Sequence, residues 1–459
     1  MRSSRAEDNV TTNEQMMELL SVVWKNLPQR VGQDWPEVKK RLLADLAKME
    51  GMDDPADDHL LNVLVDHFHP YPEAMTLIGD ACQCIMGEHL PEFDVAMPEA
   101  SVESDVEFEE ESAAVEFEVE LEEHESAELI EEEPDYYLVP VHFATNRKRD
   151  KRYKLQRSFT GRRSNQLTYG LAHVSMPKTH VAGELETPSR FWREKADPKK
   201  HVLVMSLDVL EKGGFVSSAN QSLANAKQNE ALIYIHGYNV SFGGALRLTA
   251  QIATDIGFKG IPITYSWPSY TRTLRYLGDE ANIKHGQPFF DDFLEMVVNE
   301  LNVTKIHILA HSMGNRLLSQ GMQTADDRKI AGKLGQVIFA SPDVDKDVFS
   351  QRARKFAGKA ERYTLYINES DLALELSQFL HGFARAGERD NDPLVVDPVD
   401  TVDATAVDGS FLGHNFYQNN RTVLGDMMKL VFGNLAPSKR ENLRQAPGPK
   451  TYWEIINQD

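Results

Sequence analysis

The segment Ala310–Gly314 places a serine between small residues, in a pattern typical of an activated nucleophile. A short apolar run, Lys305–Leu309, precedes it, and a segment of helical character, Asn315–Ser319, follows it. Small residues two positions before and after Ser312 permit a tight strand-to-helix turn in which larger side chains would clash. Such a turn presents the hydroxyl at a helix N-terminus, where backbone N–H groups can receive an oxyanion. We therefore predict Ser312 as a nucleophile, with Ala310 in place of the more usual glycine.

A nucleophilic serine needs a base that takes its proton and an acid that orients the base. Around a turn of this kind the chain order is serine, acid, histidine. Two histidines, His381 and His414, follow Ser312 in the sequence. His414 comes after a loop-like stretch beyond the last predicted strand, which suits a mobile base. His381 ends a predicted helix, where the helix dipole favours a histidine. We predict His414 as the base.

Two aspartates are candidates for the acid. Asp371 follows the predicted strand Tyr363–Ile367, which is the usual place for this residue in such folds. Asp343 follows the preceding predicted strand and is the alternative acid. The composition of Ser341–Asp343 also fits a helix N-terminus with Asp343 as its N-cap. We predict Asp371.

An oxyanion in this site needs two backbone donors. One should be the N–H of Met313, the residue after the nucleophile, and the other should come from the loop after His236, where we predict the N–H of Tyr238. His236 precedes Ser312 and has the wrong chain order for the base, so we interpret it as a residue that shapes the loop. We interpret His311 as a packing residue.

Short apolar segments alternate with amphipathic ones from about residue 230 onward. One amphipathic segment places Ala245, Leu248 and Ile252 at spacings of three and four, which indicates a helix. This alternation predicts an α/β fold with a mostly parallel sheet, helices on both faces and a ligand site at the carboxyl ends of the strands. The predicted strands are Ala231–Ile235, Ile261–Ser266, Lys305–Leu309, Gln336–Ser341 and Tyr363–Ile367.

Six separated motifs, spread over about residues 136 to 430, resemble those of a bacterial family, the α/β-hydrolases of unknown function catalogued as DUF900. They are Val141–Arg147, His236–Asn239, Ser266–Ser269, Ala310–Asn315, Asn368–Leu374 and Leu412–His414. The resemblance implies an α/β-hydrolase fold and a Ser/Asp/His hydrolase, in agreement with the three residues predicted above. It implies no particular substrate.

The net charge of −22 over 459 residues is concentrated in one segment. Residues 92–135 contain 20 Asp or Glu and no Lys or Arg, which leaves a net charge of −2 for the rest of the chain. So dense a run of like charges repels itself and normally stays solvated. We predict a disordered acidic linker over 93–135. Apolar and acidic residues alternate over Val115–Glu122, so a strand or a docking peptide is the alternative.

The residues before this linker, 10–92, predict a small helical bundle with three apolar stripes. The second helix should begin at Asp34–Glu37, which has the pattern of a capping box. Such a bundle on a flexible linker suggests an interaction module for a protein partner. His59, His67 and His69 could suggest a metal site, but acidic helices often carry histidines without one, and the pair Cys82 and Cys84 lacks a partner cluster, so we predict no metal.

A basic segment follows the acidic one. Between Arg147 and Arg163, nine Lys or Arg stand against Asp150, a net charge of +8. Aromatic residues are sparse there and no nucleic-acid recognition motif is present, so we predict no nucleic-acid partner. Solvation of these charges, or pairing with the acidic segment, explains them more simply.

These patterns predict a serine hydrolase of the carboxylic ester hydrolase type, which cleaves an ester, thioester or amide in a small-molecule or acylated substrate without a cofactor. The hydrolase domain should span 136–435, followed by a C-terminal tail over 436–459. The alternative is an interaction or effector protein whose hydrolase fold is controlled by the helical domain or is an inactive scaffold. The chain start lacks an apolar leader, and no run of about 18 apolar residues occurs, so we predict a cytoplasmic protein without a membrane span.

Overall fold

A computed structural model describes most of the chain beyond residue 134. The described residues are 34, 36–41, 135–188, 195–270, 276–326, 330, 332–368, 383–390, 392–407 and 421–456. The chain divides into two compact units. The first comprises Met1–Glu128 and Ser189–Lys195, and the second comprises Leu129–Pro188 and Ala196–Asp459.

In the first unit, residues 36–41 are helical and the side chain of Val38 is fully buried. These residues lie within the second helix that the capping-box pattern at Asp34–Glu37 predicts. The remainder of the predicted bundle over 10–92, and the predicted linker as far as residue 134, lie outside the described residues.

The second unit is built on one large sheet. Its strands are β1 (Tyr136–Arg149), β2 (Phe159–Pro177), β3 (Val204–Leu210), β4 (Glu230–Ile235), β5 (Ile261–Ser266), β6 (Lys305–His311), β7 (Leu334–Ala340), β8 (Ala360–Ile367), β9 (Val399–Asp403), β10 (Leu443–Gln445) and β11 (Trp453–Ile455). Within the described residues the strand order is β10-β11-β9-β8-β7-β6-β4-β5-β1-β2-β3. The pairs from β1–β5 through β8–β9 are parallel, which confirms the predicted α/β fold class.

Helices cover both faces of the sheet. They are α1 (Lys212–Asn225), α2 (Phe242–Asp255), α3 (Tyr276–Glu300), α4 (Gly314–Thr324), α5 (Lys346–Ala353) and α6 (Arg421–Gly433). Alternate residues of β4 enter different cores: Ile233 packs in the cluster that includes α3 and α4, whereas Tyr234 packs in the cluster of α2 and α6. A strand buried on both faces reads as an unbroken apolar run, which is why the central strands could be predicted. None of the helices in the described residues has both the length and the apolar character needed to cross a bilayer.

Both edges of the sheet are antiparallel. At one edge β1 pairs with β2, and β2 pairs with β3. The apolar pattern of the sequence did not predict these strands. At the other edge β10 pairs with β11, and β11 joins β9 in parallel through Trp453 and Val402. The prediction of a C-terminal tail over 436–459 is therefore wrong for the described part of that segment. Its short, partly polar strands are stabilised by the edge they extend, which their own sequence does not reveal.

Candidate active site

Ser312 occupies a strained turn at the carboxyl end of β6. It lies between the last residue of the strand, His311, and helix α4, and its backbone φ is 49°. A residue other than glycine at positive φ stores strain, and such residues cluster at functional sites. The turn is held by the Ser312 N–H, which donates to the carbonyl of Ala340 at 3.0 Å, and by the side-chain amide of Asn315, which donates to the Ser312 carbonyl at 3.1 Å. The surrounding hydrogen bonds thus impose the conformation.

The small residues of the motif are required by close backbone approach. A Cβ atom added at Gly314 would lie 2.5 Å from the carbonyl oxygen of His236, closer than real Cβ atoms come to backbone. Ala310, on the other side of the turn, is fully buried within the core. The turn therefore packs against the end of β4, and a methyl group is accommodated at position 310 but not at position 314.

Two further residues at this edge of the sheet share the unusual backbone conformation. Asn239, after β4, has a φ of 56°, and Ser341, after β7, has a φ of 41°. Because β4, β6 and β7 are parallel, these turns and Ser312 meet at the same carboxyl edge. Three strained turns at one edge make it the candidate functional edge of the fold, in line with the position of ligand sites in open α/β sheets.

The loop after β4 lies directly against Ser312. A Cβ atom added at Gly237 would lie 2.9 Å from the Cβ of Ser312 and 2.6 Å from Nδ1 of His311. The next residue, Tyr238, is half-buried against the core. Met313 is the N-cap residue of α4, so its N–H is among the donors that a helix leaves without an intrahelical acceptor. The loop after β4 and the start of α4 therefore both lie at Ser312, and the assignment of Tyr238 and Met313 as oxyanion donors stays a prediction.

His236 is a fully buried residue of the loop, and both of its ring nitrogens are engaged. Nδ1 donates to the carbonyl of Gly237 at 2.7 Å, and Nε2 accepts from Arg147 at 3.2 Å and from the hydroxyl of Ser266 at 3.1 Å. Burial, and secondly the charge of Arg147, hold the pKa of His236 well below its usual value. The ring stacks on Trp267 with centroids 5.0 Å apart. This neutral, fully engaged ring fixes the loop and has no free nitrogen to act as a base.

Sequence reasoning missed Arg147. The basic segment that begins at Arg147 is predicted to be solvated, but the side chain of Arg147 is only 1% exposed. Its guanidinium donates through Nε to the hydroxyl of Ser266 at 2.9 Å and through the terminal nitrogens to the carbonyls of Ser269 and Val240, at 3.1 and 2.6 Å. The available signal was its position in the motif Val141–Arg147, at the end of a buried strand.

Asp279, in the first turn of α3, is a second buried charged residue that sequence reasoning missed. It accepts from the Ser269 hydroxyl at 2.6 Å, from the Tyr270 N–H at 2.9 Å and from the Asn282 amide at 3.3 Å. Burial raises the pKa of Asp279 to about 7, against the opposing effect of these hydrogen bonds and of Arg147. Asp279 thus fixes the loop after β5.

The predicted alternative acid, Asp343, lies close to Ser312 but is held by two arginines. Its N–H donates to the Ser312 carbonyl at 3.2 Å, and its two carboxylate oxygens face Arg316 at 3.3 Å and Arg385 at 3.5 Å. The prediction that Asp343 is a helix N-cap is wrong. Helix α5 begins at Lys346, and Asp345 accepts from its first N–H groups. Asp343 and Asp345 have the same capping chemistry, so the sequence alone does not show which of them is the N-cap.

The predicted acid Asp371 and base His414, and the alternative base His381, lie outside the described residues. Two described strands end at the same edge as Ser312, each before one of the predicted residues: β8 ends at Ile367, before the segment that contains Asp371, and β9 ends at Asp403, before the segment that contains His414. Their roles stay predictions. Within the described residues, no group of three or more His, Cys, Asp or Glu side chains is arranged to hold a metal ion.

A parallel sheet with helices on both faces and a strained serine turn at the carboxyl end of β6 defines an α/β-hydrolase fold. Residues 213–431 match the family described as "Alpha/beta hydrolase of unknown function (DUF900)", which confirms the resemblance seen in the motifs. No curated protein matches the chain.

The close approach of Gly237 to the nucleophile provides a test of the site. We expect Gly237→Ala to lower kcat by about two orders of magnitude, because the added methyl pushes the loop away from Ser312 and displaces an oxyanion donor. Gly425→Ala, in α6, is the matched control, since a Cβ there meets no atom within 4 Å and should add about 0.5–1 kcal/mol of stability. Steady-state ester hydrolysis and thermal unfolding would be measured for both. Full activity of a folded Gly237→Ala variant would contradict the placement of this loop in the site.

Proposed function

We propose that this protein is a serine hydrolase that cleaves an ester, thioester or amide through an acyl-enzyme. The observation that carries the proposal is the strained turn at Ser312, packed against the Gly237 loop and opening a helix. This arrangement supports the proposal because the serine stands both at a helix start and against the loop after β4. Backbone strain of this kind clusters at functional sites, and a strand-to-helix turn is the conformation that exposes a nucleophilic serine in this fold.

In the proposed reaction the Ser312 hydroxyl attacks the carbonyl carbon of the substrate. His414 takes the hydroxyl proton and later gives it to the leaving group, while Asp371 orients the imidazole and stabilises its charged form. The N–H groups of Met313 and Tyr238 receive the negative charge that develops on the carbonyl oxygen. Water then hydrolyses the acyl-enzyme by the same steps, and no metal or organic cofactor takes part.

Covalent labelling of the full chain tests this proposal. A fluorophosphonate probe should label the native protein at Ser312, located by peptide mass spectrometry, and heat-denatured protein should not be labelled. A panel of p-nitrophenyl esters of increasing chain length, with a phospholipid and a peptide, would then define the acyl group and the leaving group. Failure of the folded protein to react with the probe or with any ester would favour the alternative, an interaction or effector protein with an inactive hydrolase fold.

The remaining assignments are proposals that depend on the sequence. They are a protein partner bound through residues 10–92 and a cytoplasmic location. Deleting residues 1–135 would show whether the first unit affects the rate of ester hydrolysis. An unchanged rate would confine its role to interactions outside catalysis.

A further inference from the structure

Arg147 is a buried cation whose hydrogen-bond acceptors are all neutral. They are the hydroxyl of Ser266, the carbonyls of Ser269 and Val240, and Nε2 of His236. The closest carboxylate in this network, that of Asp279, contacts Arg147 only through Ser269, whose carbonyl accepts from Arg147 and whose hydroxyl donates to Asp279.

A guanidinium in this position is costly to bury. Desolvation lowers the pKa of Arg147 to about 9, even though the charge of Asp279 opposes the shift. Replacing a buried charge by an apolar side chain of similar size is often neutral or stabilising, so stability alone does not account for an arginine here. Residues that break the usual rules of stable packing, such as a buried charge without a counter-ion, are expected at functional sites.

The bonds of Arg147 show what it holds. It contacts the first and last residues of the loop 236–240, through the ring of His236 and the carbonyl of Val240. The same guanidinium also donates to the carbonyl of Ser269, in the loop after β5. The loop 236–240 contains Gly237, whose backbone lies against Ser312, and Tyr238, the proposed oxyanion donor. A small displacement of this loop therefore changes the distance between the nucleophile and the donor.

We propose that Arg147 is a positioning residue for the oxyanion hole: its guanidinium holds both ends of the loop 236–240 against Ser312, and its buried charge favours negative charge on the substrate oxygen. The inference rests on the proposed hydrolase function. It assigns the motif Val141–Arg147 to the site although β1 carries neither the nucleophile nor a predicted triad residue. A preorganised dipole or charge acts most strongly where water is excluded, and the side chain of Arg147 is fully buried.

Two substitutions and one matched control test the inference in the full-length protein. Arg147→Lys keeps a basic group, but its three N–H donors cannot reach four acceptors at once, and Arg147→Met removes the basic group. Arg440→Lys is the control, because Arg440 is equally buried and bonds Asp426 on α6, away from the loops of the site. We expect kcat to fall about 10- to 100-fold for Arg147→Lys, with further loss for Arg147→Met and little change in KM. We expect Arg440→Lys to lower the melting temperature without lowering kcat.

The affinity of a trifluoromethyl ketone provides a readout that a merely structural role would leave unchanged. Its adduct with the serine carries the oxyanion, so its inhibition constant should rise in parallel with the loss of kcat across the Arg147 variants, while a substrate-like ground-state inhibitor should bind as before. If Arg147→Met does not fold, the lysine variant decides by the same two measurements.

The inference is overturned if a folded Arg147→Lys variant keeps kcat within about threefold of the wild type. It is also overturned if KM alone rises, or if Arg440→Lys loses kcat to the same extent, since the effect would then be one of substrate binding or of general destabilisation. Failure of the proposed function is distinguishable from these outcomes, because the wild-type protein itself would then show neither labelling nor ester hydrolysis.

Discussion

Ser312→Ala should abolish hydrolysis and fluorophosphonate labelling while leaving the fold intact. Loss of the nucleophile in a site of this kind lowers turnover by about a million-fold, with the residual rate supplied by the oxyanion hole and by binding. Alanine retains a Cβ and therefore meets the same backbone strain at φ 49° as serine does. The hydrogen bonds that hold the turn use the backbone of Ser312 and the side chain of Asn315, and these are unaffected by loss of the hydroxyl.

Ser341→Ala is a closely matched control for this substitution. Ser341 is also a fully buried serine at positive φ, at the same edge of the sheet, and its hydroxyl makes no hydrogen bond within the described residues. We expect this variant to retain activity of the wild-type order. Circular dichroism and thermal unfolding would verify that both variants fold. A purified Ser312→Ala protein with more than about a tenth of the wild-type rate would rule out Ser312 as the nucleophile.

The central strands could be predicted because the signal for them, an unbroken apolar run, lies within each strand's own sequence. Strands such as β4 and β7 are buried on both faces, and an unbroken apolar run of strand length between turn residues is a strong signal of that environment. The edge strands gave a weaker signal. β2 mixes polar and apolar residues over Phe159–Pro177, and β10 and β11 have three residues each, so their pairing depends on the strand they join.

The buried polar network could not be predicted, because its partners are distant in sequence. Arg147 bonds His236, which is 89 residues away, and Ser269, which is 122 residues away. A run of basic residues is usually solvated, and only the fold shows that the first of them points inward while Lys148 and Arg149 remain exposed. The same argument applies to the acid. Asp343 and Asp371 both follow strands that end at the functional edge, and chain order alone allows either one.

Asp371→Asn should lower turnover by about four orders of magnitude, because an amide cannot hold the imidazole in the required tautomer or stabilise its charged form. Asp343→Asn should act mainly on stability. Its carboxylate is fully buried between Arg316 and Arg385, and removal of one partner from a buried ion pair costs about 3 kcal/mol or more. A triad acid must offer an oxygen to the histidine, and each oxygen of Asp343 already faces a guanidinium.

The two variants would be compared by single-turnover acylation and by urea unfolding. Asp343→Asn also weakens the surroundings of the Ser312 carbonyl, which accepts from the Asp343 N–H, so a loss of activity of a few-fold is compatible with a structural role. Arg316→Lys separates the two roles further, because it perturbs the ion pair without touching a carboxylate, and it should reproduce the stability loss with little effect on acylation. An inactive but fully folded Asp343→Asn variant, together with an active Asp371→Asn variant, would move the acid to the end of β7.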